Sequence, residues 1–177
     1  LYSLLDKAIE SHPNHANFHA LLGDVYFQKN ESKLAFDAYE KSLKLGATEF
    51  LIWNRHLVLG LELQQYASVS EMGLKSIELH PSQPTLYLFT GFALSILQEE
   101  ERAITVLKKG LNYVVNIRLL KAEFYSYLGD AYNTIEKHDL SDQNYEKSLA
   151  VMPENIVVLN NYSYYLSLRS KDLEKAE

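Results

Sequence analysis

The chain has 177 residues, 47% of them hydrophobic, and 17 Lys and Arg against 23 Asp and Glu give a net charge of −6, so there is apolar material for one domain or one array. With 7 Gly and 4 Pro, roughly half the usual share, turn-formers are too few for a sandwich or barrel of many short strands, and helices are expected. The absence of Cys removes disulfides, thiolate zinc sites and Cys nucleophiles; the acidic balance without a basic block excludes a nucleic-acid footprint, and no apolar run approaches the ~20 residues of a membrane helix.

The first strong pattern begins at Ala16. Phe18, Leu21, Leu22, Val25 and Tyr26 follow intervals of three, one, three and one, which places them on one helical face. Lys29-Asn30-Glu31-Ser32 reads as the turn that follows, with Asn30 ending the helix and Ser32 capping the next. Leu22-Gly23 is followed by Tyr26, Ala35, Tyr39 and Leu43. Trp53 opens a second copy that runs through Leu57, Gly60, Val69 and Ile77 to Pro81, and a third is anchored on Gly91, with Tyr87 before it and Leu94, Ala103, Leu107 and Leu111 after it. The fourth reproduces the offsets of the first: Leu128-Gly129, Tyr132, Ser141, Tyr145 and Leu149, closing at Pro153. Its turn is Glu136-Lys137-His138-Asp139, with Asp139 as the expected cap; a fifth copy opens near Ile156 and reaches a turn at Ser170-Lys171-Asp172. Pro13, Pro81, Pro84 and Pro153 fall between copies, where no helical hydrogen bond is lost.

Aligned on these anchors, the copies start near Ala16, Phe50, Pro84, Ala122 and Ile156, spaced by 34, 34, 38 and 34 residues. The sequence resembles the tetratricopeptide repeat (TPR) family, whose period and order of aromatic, Leu-Gly, Tyr, Ala, aromatic and Pro it repeats. The resemblance implies an all-α fold, a right-handed TPR superhelix (α-solenoid) of antiparallel helix pairs, with residues 1–177 as a single array. Its units are 16–49, 50–83, 84–121 and 122–155, flanked by 1–15 as the second helix of a partial unit and 156–177 as a unit cut off inside its second helix. Leu1 stands without an initiator Met, so an upstream segment is expected. The eighth position carries Gly23, Gly91 and Gly129, where the paired helices should touch, and the small residue at the twentieth, such as Ala35 or Ala103, should receive Tyr26 or Leu94. Departures are His19 and Leu159 in the first aromatic slot, Leu57 and Ser163 in the Gly slot, and four extra residues around Asn116-Ile117-Arg118-Leu119. These four should lengthen a helix or loosen a turn.

No phosphate loop, His-Glu-x-x-His, Gly-x-Ser-x-Gly or calcium-loop spacing occurs, so no enzyme, cofactor or metal is expected. His12, His15 and His19 have a zinc reading, but Pro13 breaks their register and His19 fills a packing slot, which favours capping and packing. Glu99-Glu100-Glu101 reads as a solvated helix start. Tyr26, Tyr39, Tyr87, Tyr125, Tyr132 and Tyr145 occupy pattern slots, as core residues rather than a cage.

In the family, the first helices of the repeats line a concave groove and touch ligands through their second, fifth, ninth and twelfth positions. Carried over, this nominates Asn17, Asp24 and Phe27; Asn54, Val58 and Leu61; Leu88, Phe92 and Ser95; Glu123, Ser126, Asp130 and Asn133; and Asn160, Tyr164 and Ser167. An extended peptide or helix with an apolar centre fits this strip, with Leu88 and Phe92 burying its anchors; packing on the next first helix is the other reading of the apolar members. The clamp that family members use for acidic chaperone tails is missing, since its places hold Ala20, Asp24, Thr85 and Phe89. Asp24, Glu123 and Asp130 would repel an acidic tail and attract a basic one. The resemblance thus implies a non-catalytic protein-protein interaction scaffold. The alternatives are a regulatory or substrate-presenting array of a larger enzyme, and self-association through exposed terminal helices. The stretches Val158–Leu166 and Lys171–Glu177 are similar to envelope-associated TPR proteins of Gram-negative bacteria, which leans localisation toward the bacterial periplasm or envelope.

Overall fold

The structure is a computed structural model and describes residues 2–169. Among the described residues every regular element is a helix: α1 (Tyr2–Ser11), α2 (Ala16–Gln28), α3 (Ser32–Lys44), α4 (Phe50–Glu62), α5 (Tyr66–Leu79), α6 (Pro84–Ile96), α7 (Glu100–Leu111), α8 (Arg118–Thr134), α9 (His138–Val151) and α10 (Ile156–Leu168). The Ser170-Lys171-Asp172 turn and the helix expected after it lie outside the described residues. The helices form two compact units, Leu1–Pro81 and Ser82–Glu177.

In the first unit each helix from α1 to α5 packs on the next; in the second, α6 packs on α7 and α8, and α8 on α9 and α10. Contacts fix the direction of the pairs. Ser42 on α3 donates to the Ala16 carbonyl at the start of α2, while Tyr39, one turn earlier on α3, lies against Gly23, two turns later on α2. One helix is traversed forward as the other runs backward, so the pair is antiparallel. The α8 and α9 pair repeats the arrangement, with Ser148 donating to the Ala122 carbonyl and Tyr145 against Gly129.

The eighth-position glycines are points of close approach. A Cβ on Gly23, Gly91 or Gly129 would lie 2.6, 2.5 or 2.8 Å from Tyr39, Leu107 or Tyr145, inside van der Waals contact. Gly110 is tighter, although the sequence pattern does not mark it: a Cβ there would lie 2.3 Å from the Cβ of Tyr87 and 2.9 Å from Phe124. The Tyr87 Cβ is fixed to the α6 backbone and cannot swing away. Helix propensity favours Gly110→Ala by about 1 kcal/mol, whereas overpacking opposes it by about 1–3 kcal/mol. The variant is therefore expected to be about 1 kcal/mol less stable in urea denaturation, and a more stable variant would refute this placement.

Turns between paired helices repeat one backbone solution. Asn30, Gln64, Gln98 and Glu136, all at the fifteenth position, have φ of 59°, 57°, 62° and 58°. In each turn the following amide reaches back to close the helix: Glu31 to Tyr26, Gln65 to Gly60, Glu99 to Leu94 and Lys137 to Tyr132. The expected caps differ. Glu31 and Lys137, not Ser32 and Asp139, occupy the N-cap positions of α3 and α9, with no side-chain cap bond; Asn155 caps α10 by accepting from the Val158 amide. The extra residues lengthen a helix, since α8 opens at Arg118 and has 17 residues where α2, α4, α6 and α10 have 13. One added turn absorbs the four residues.

His19 is buried and its Nε2–H donates to the Pro13 carbonyl at 2.7 Å, while His15 is exposed and stacks on Phe18. Tyr39, Tyr87, Tyr132 and Tyr145 are core residues, and Tyr26 and Tyr125 are half-buried. Among the described residues no helix is long and apolar enough to cross a membrane.

Candidate functional site

The candidate positions of the first unit centre on Asp24. Its Oδ1 accepts from the Tyr39 hydroxyl at 2.6 Å and is ion-paired with Arg55 of α4. Arg55 also donates to the Tyr39 oxygen at 3.3 Å and lies over the Phe27 ring, 5.1 Å from its centroid. This alters the sequence reading of Asp24 as a carboxylate open to a basic tail, because the chain supplies its own guanidinium. Asn17 is exposed, and Asn54, Val58 and Leu61 are half-buried outside this cluster.

The second unit builds the related site with different occupants. Asp130 of α8 stands at the ninth position, as Asp24 does, and its Oδ1 accepts from the Tyr145 hydroxyl at 2.5 Å, the counterpart of Tyr39. The residue matching Arg55 in register is Asn161 of α10, whose amide reaches Asp130 at 3.4 Å. Beside it lies a cavity of about 320 Å³, lined by Phe92 and Ser95 of α6, Glu100 of α7, Tyr127 and Asp130 of α8, and Asn161 of α10 among others, with no Lys or Arg in its lining. The Phe92 and Tyr127 rings stand 5.3 Å apart and form an aromatic wall.

Both carboxyls of the cavity titrate above the usual range. Burial raises Asp130, against hydrogen bonds from Tyr145 and Asn161 that lower it. Burial likewise raises Glu100, the Ser95 hydroxyl opposes, and the charge of Asp130 adds to the rise. Oε2 of Glu100 is buried without a hydrogen-bond partner. The expectation of a solvated Glu99-Glu100-Glu101 start is therefore corrected at Glu100, which faces the cavity; Glu99 pairs with Arg102 in the same turn.

Phe92, Ser95 and Asp130 are thus brought together, joined by Glu100, Tyr127 and Asn161, which the sequence reading did not nominate. Glu123 and Asn133 are half-buried outside the cavity, and Asn160, Tyr164 and Ser167 are exposed. Leu88 and Ser126, at 5% and 7% exposure, offer little surface to a partner, which for Leu88 favours the packing alternative of the sequence reading. In α6, Leu86, Tyr87 and Leu88 are buried in succession, which spreads burial around the helix rather than leaving an anchor stripe. The remaining apolar anchor, Phe92, forms a cavity wall.

Residues 16–46 match the tetratricopeptide repeat family. No curated protein sequence matches the chain. Among solved structures, the chain is similar to YrrB, described as a TPR protein with an unusual peptide-binding site, at 19% identity and TM-score 0.78, over 90% of this chain and 80% of that one. It is also similar to MamA of Desulfovibrio magneticus RS-1, at 15% identity and TM-score 0.76, over 91% and 89% of the two chains. The third is PilF of Pseudomonas aeruginosa, at 20% identity and TM-score 0.68, over 97% and 76%. The chain therefore carries a tetratricopeptide repeat at residues 16–46 and has the tetratricopeptide-repeat fold.

Proposed function

We propose that the chain is a non-catalytic protein-interaction scaffold that holds a peptide segment of a partner against the first helices of its repeats. The fold is one suited to protein interaction, and the described peptide-binding site of YrrB supports a peptide as the occupant. The observation that carries the reading is the open cavity beside α8, where aromatic walls and unneutralised carboxyls converge. Such a mixture of apolar area and a few oriented polar groups suits a side chain of a partner.

Selection from a random peptide display library tests this, comparing the wild type with an Asn133→Ala/Tyr164→Ala variant on the adjoining α8 and α10 surface. Tyr164 is 59% exposed, so its truncation should leave the melting curve unchanged. A common peptide pattern is expected, with binding to the folded variant about tenfold weaker, the loss of one good contact. Failure to enrich any pattern, or equal binding by both proteins, would reject a peptide ligand on this surface.

A further inference from the structure

Resting on the scaffold reading, we propose that the cavity beside α8 is a pocket for a single guanidinium, the side chain of an arginine in the partner polypeptide, gripped by Asp130 and Glu100 against the Phe92 and Tyr127 rings.

Two independent observations lead there. The first is the ligand that the molecule already carries at the equivalent place. In the first unit, the carboxylate of Asp24, backed by the Tyr39 hydroxyl, holds the Arg55 guanidinium, which also lies on the Phe27 ring. In the second unit the same carboxylate and tyrosine pair recurs as Asp130 and Tyr145. The guanidinium position, however, is taken by Asn161, whose side chain is shorter and uncharged. The carboxylate keeps its support and lacks its cation, and the space next to it is open. The second observation is Glu100, whose buried Oε2 lacks a hydrogen-bond partner. Two acidic groups in one half-buried site repel one another unless a cation lies between them. A planar guanidinium supplies up to five donors for the two carboxylates and a flat face for the rings, which an ammonium does not.

The chemistry excludes an acidic segment, which would add like charge, and makes a neutral isostere a weak ligand because it leaves both carboxyls without a counter-charge. It also makes Asn161 the residue that keeps the pocket available. Asn161→Arg should place an internal guanidinium on Asp130, as Arg55 lies on Asp24, and close the pocket from within.

The experiment follows backbone amide resonances of the full chain during titration with N-acetyl-arginine amide, and with N-acetyl-citrulline amide as the uncharged isostere. Shifts are expected at Ser95, Tyr127, Asp130 and Asn161 with the arginine probe, and about tenfold weaker binding with citrulline. The same loss is expected in Glu100→Gln, which removes one charge without touching the Tyr145 bond, and in Asn161→Arg, whose retained fold is read from the spectrum. Equal response to both probes, shifts elsewhere in the chain, or full binding by Asn161→Arg would overturn the pocket. The library peptides keep this result separate from the scaffold reading. Peptides that bind without an arginine and are indifferent to Asn161→Arg leave the scaffold standing and reject the pocket, whereas an arginine probe that titrates while no peptide binds supports the pocket and rejects the scaffold.

Discussion

Between pH 7 and pH 4 the protein is expected to lose about 3 kcal/mol of stability through one side chain, His56. His56 of α4 is fully buried, stacked on Phe36 with ring centroids 4.4 Å apart, and its Nε2 stands 3.4 Å from the Ser68 hydroxyl. Burial lowers its pKa from 6.5 to about 4; the charges of Glu40 and Asp37 pull it back up, and that of Lys44 pushes it down. The sign follows from which state takes the proton first. Above about pH 6.5 His56 is neutral folded and unfolded, and its titration contributes nothing to the balance. As pH falls, the unfolded chain binds the proton while the folded chain resists, so stability declines until His56 also protonates in the folded state near pH 4. Carboxylates add their own acid dependence, so the informative quantity is a difference. Urea denaturation across this range should give a steeper fall for wild type than for His56→Gln, which cannot titrate. Parallel profiles would mean that the ring is charged, or reached by water, in the folded protein.

How much of this was legible in advance depended on whether a residue acts through its period or through a partner. Gly23, Gly91 and Gly129 were readable because each stands at a fixed offset from an aromatic or leucine that it contacts. Gly110 was not, because the same register holds Ser42, Ser76 and Ser148 in the other units, and a rule built on similarity passes over the exception. The left-handed residues Gln64, Gln98 and Glu136 had no local signal, since neither Gln nor Glu is a residue chosen for that conformation. The turn imposes it through the hydrogen bond that closes each helix. At the candidate site, register drew attention to Asp24 and Asp130 but could not reveal that one is paired with a guanidinium and the other is not. That difference comes from Arg55 and Asn161, on the first helix of the following repeat. Glu100 was concealed by its neighbours: in a run of three acids at a helix start, solvation is the natural reading, and only packing shows that one of them turns inward.

The unit at residues 50–83 departs from the repeat pattern in a self-consistent way, and a double-mutant cycle is expected to expose it. In the first, third and fourth units, the eighth position is Gly and the twenty-fourth is Tyr39, Leu107 or Tyr145; the eleventh is Tyr26, Leu94 or Tyr132 and the twentieth is Ala35, Ala103 or Ser141. In this unit all four are inverted, with Leu57 and Gly73 in the first pair and Gly60 and Val69 in the second. The Gly60 and Val69 pair shows bulk transferred across the helix pair at that level. Leu57 is fully buried, and a Cβ on Gly60 would lie 2.5 Å from Val69 and 3.1 Å from Phe36. Gly60→Leu alone should therefore cost about 3 kcal/mol by overpacking, and Val69→Ala alone about 2 kcal/mol by leaving a cavity. Together they recreate the Leu94 and Ala103 pair of the third unit, in which both residues are fully buried. The combined variant should be about 2 kcal/mol more stable than the sum of the single changes predicts. The 3.1 Å approach of Phe36 remains and keeps the recovery incomplete. Additive costs within about 0.5 kcal/mol in urea denaturation would show that the pair does not exchange volume and that the inversion is only a pattern in the letters. A large coupling would identify pairwise shape complementarity, rather than glycine at a fixed position, as what the repeat preserves.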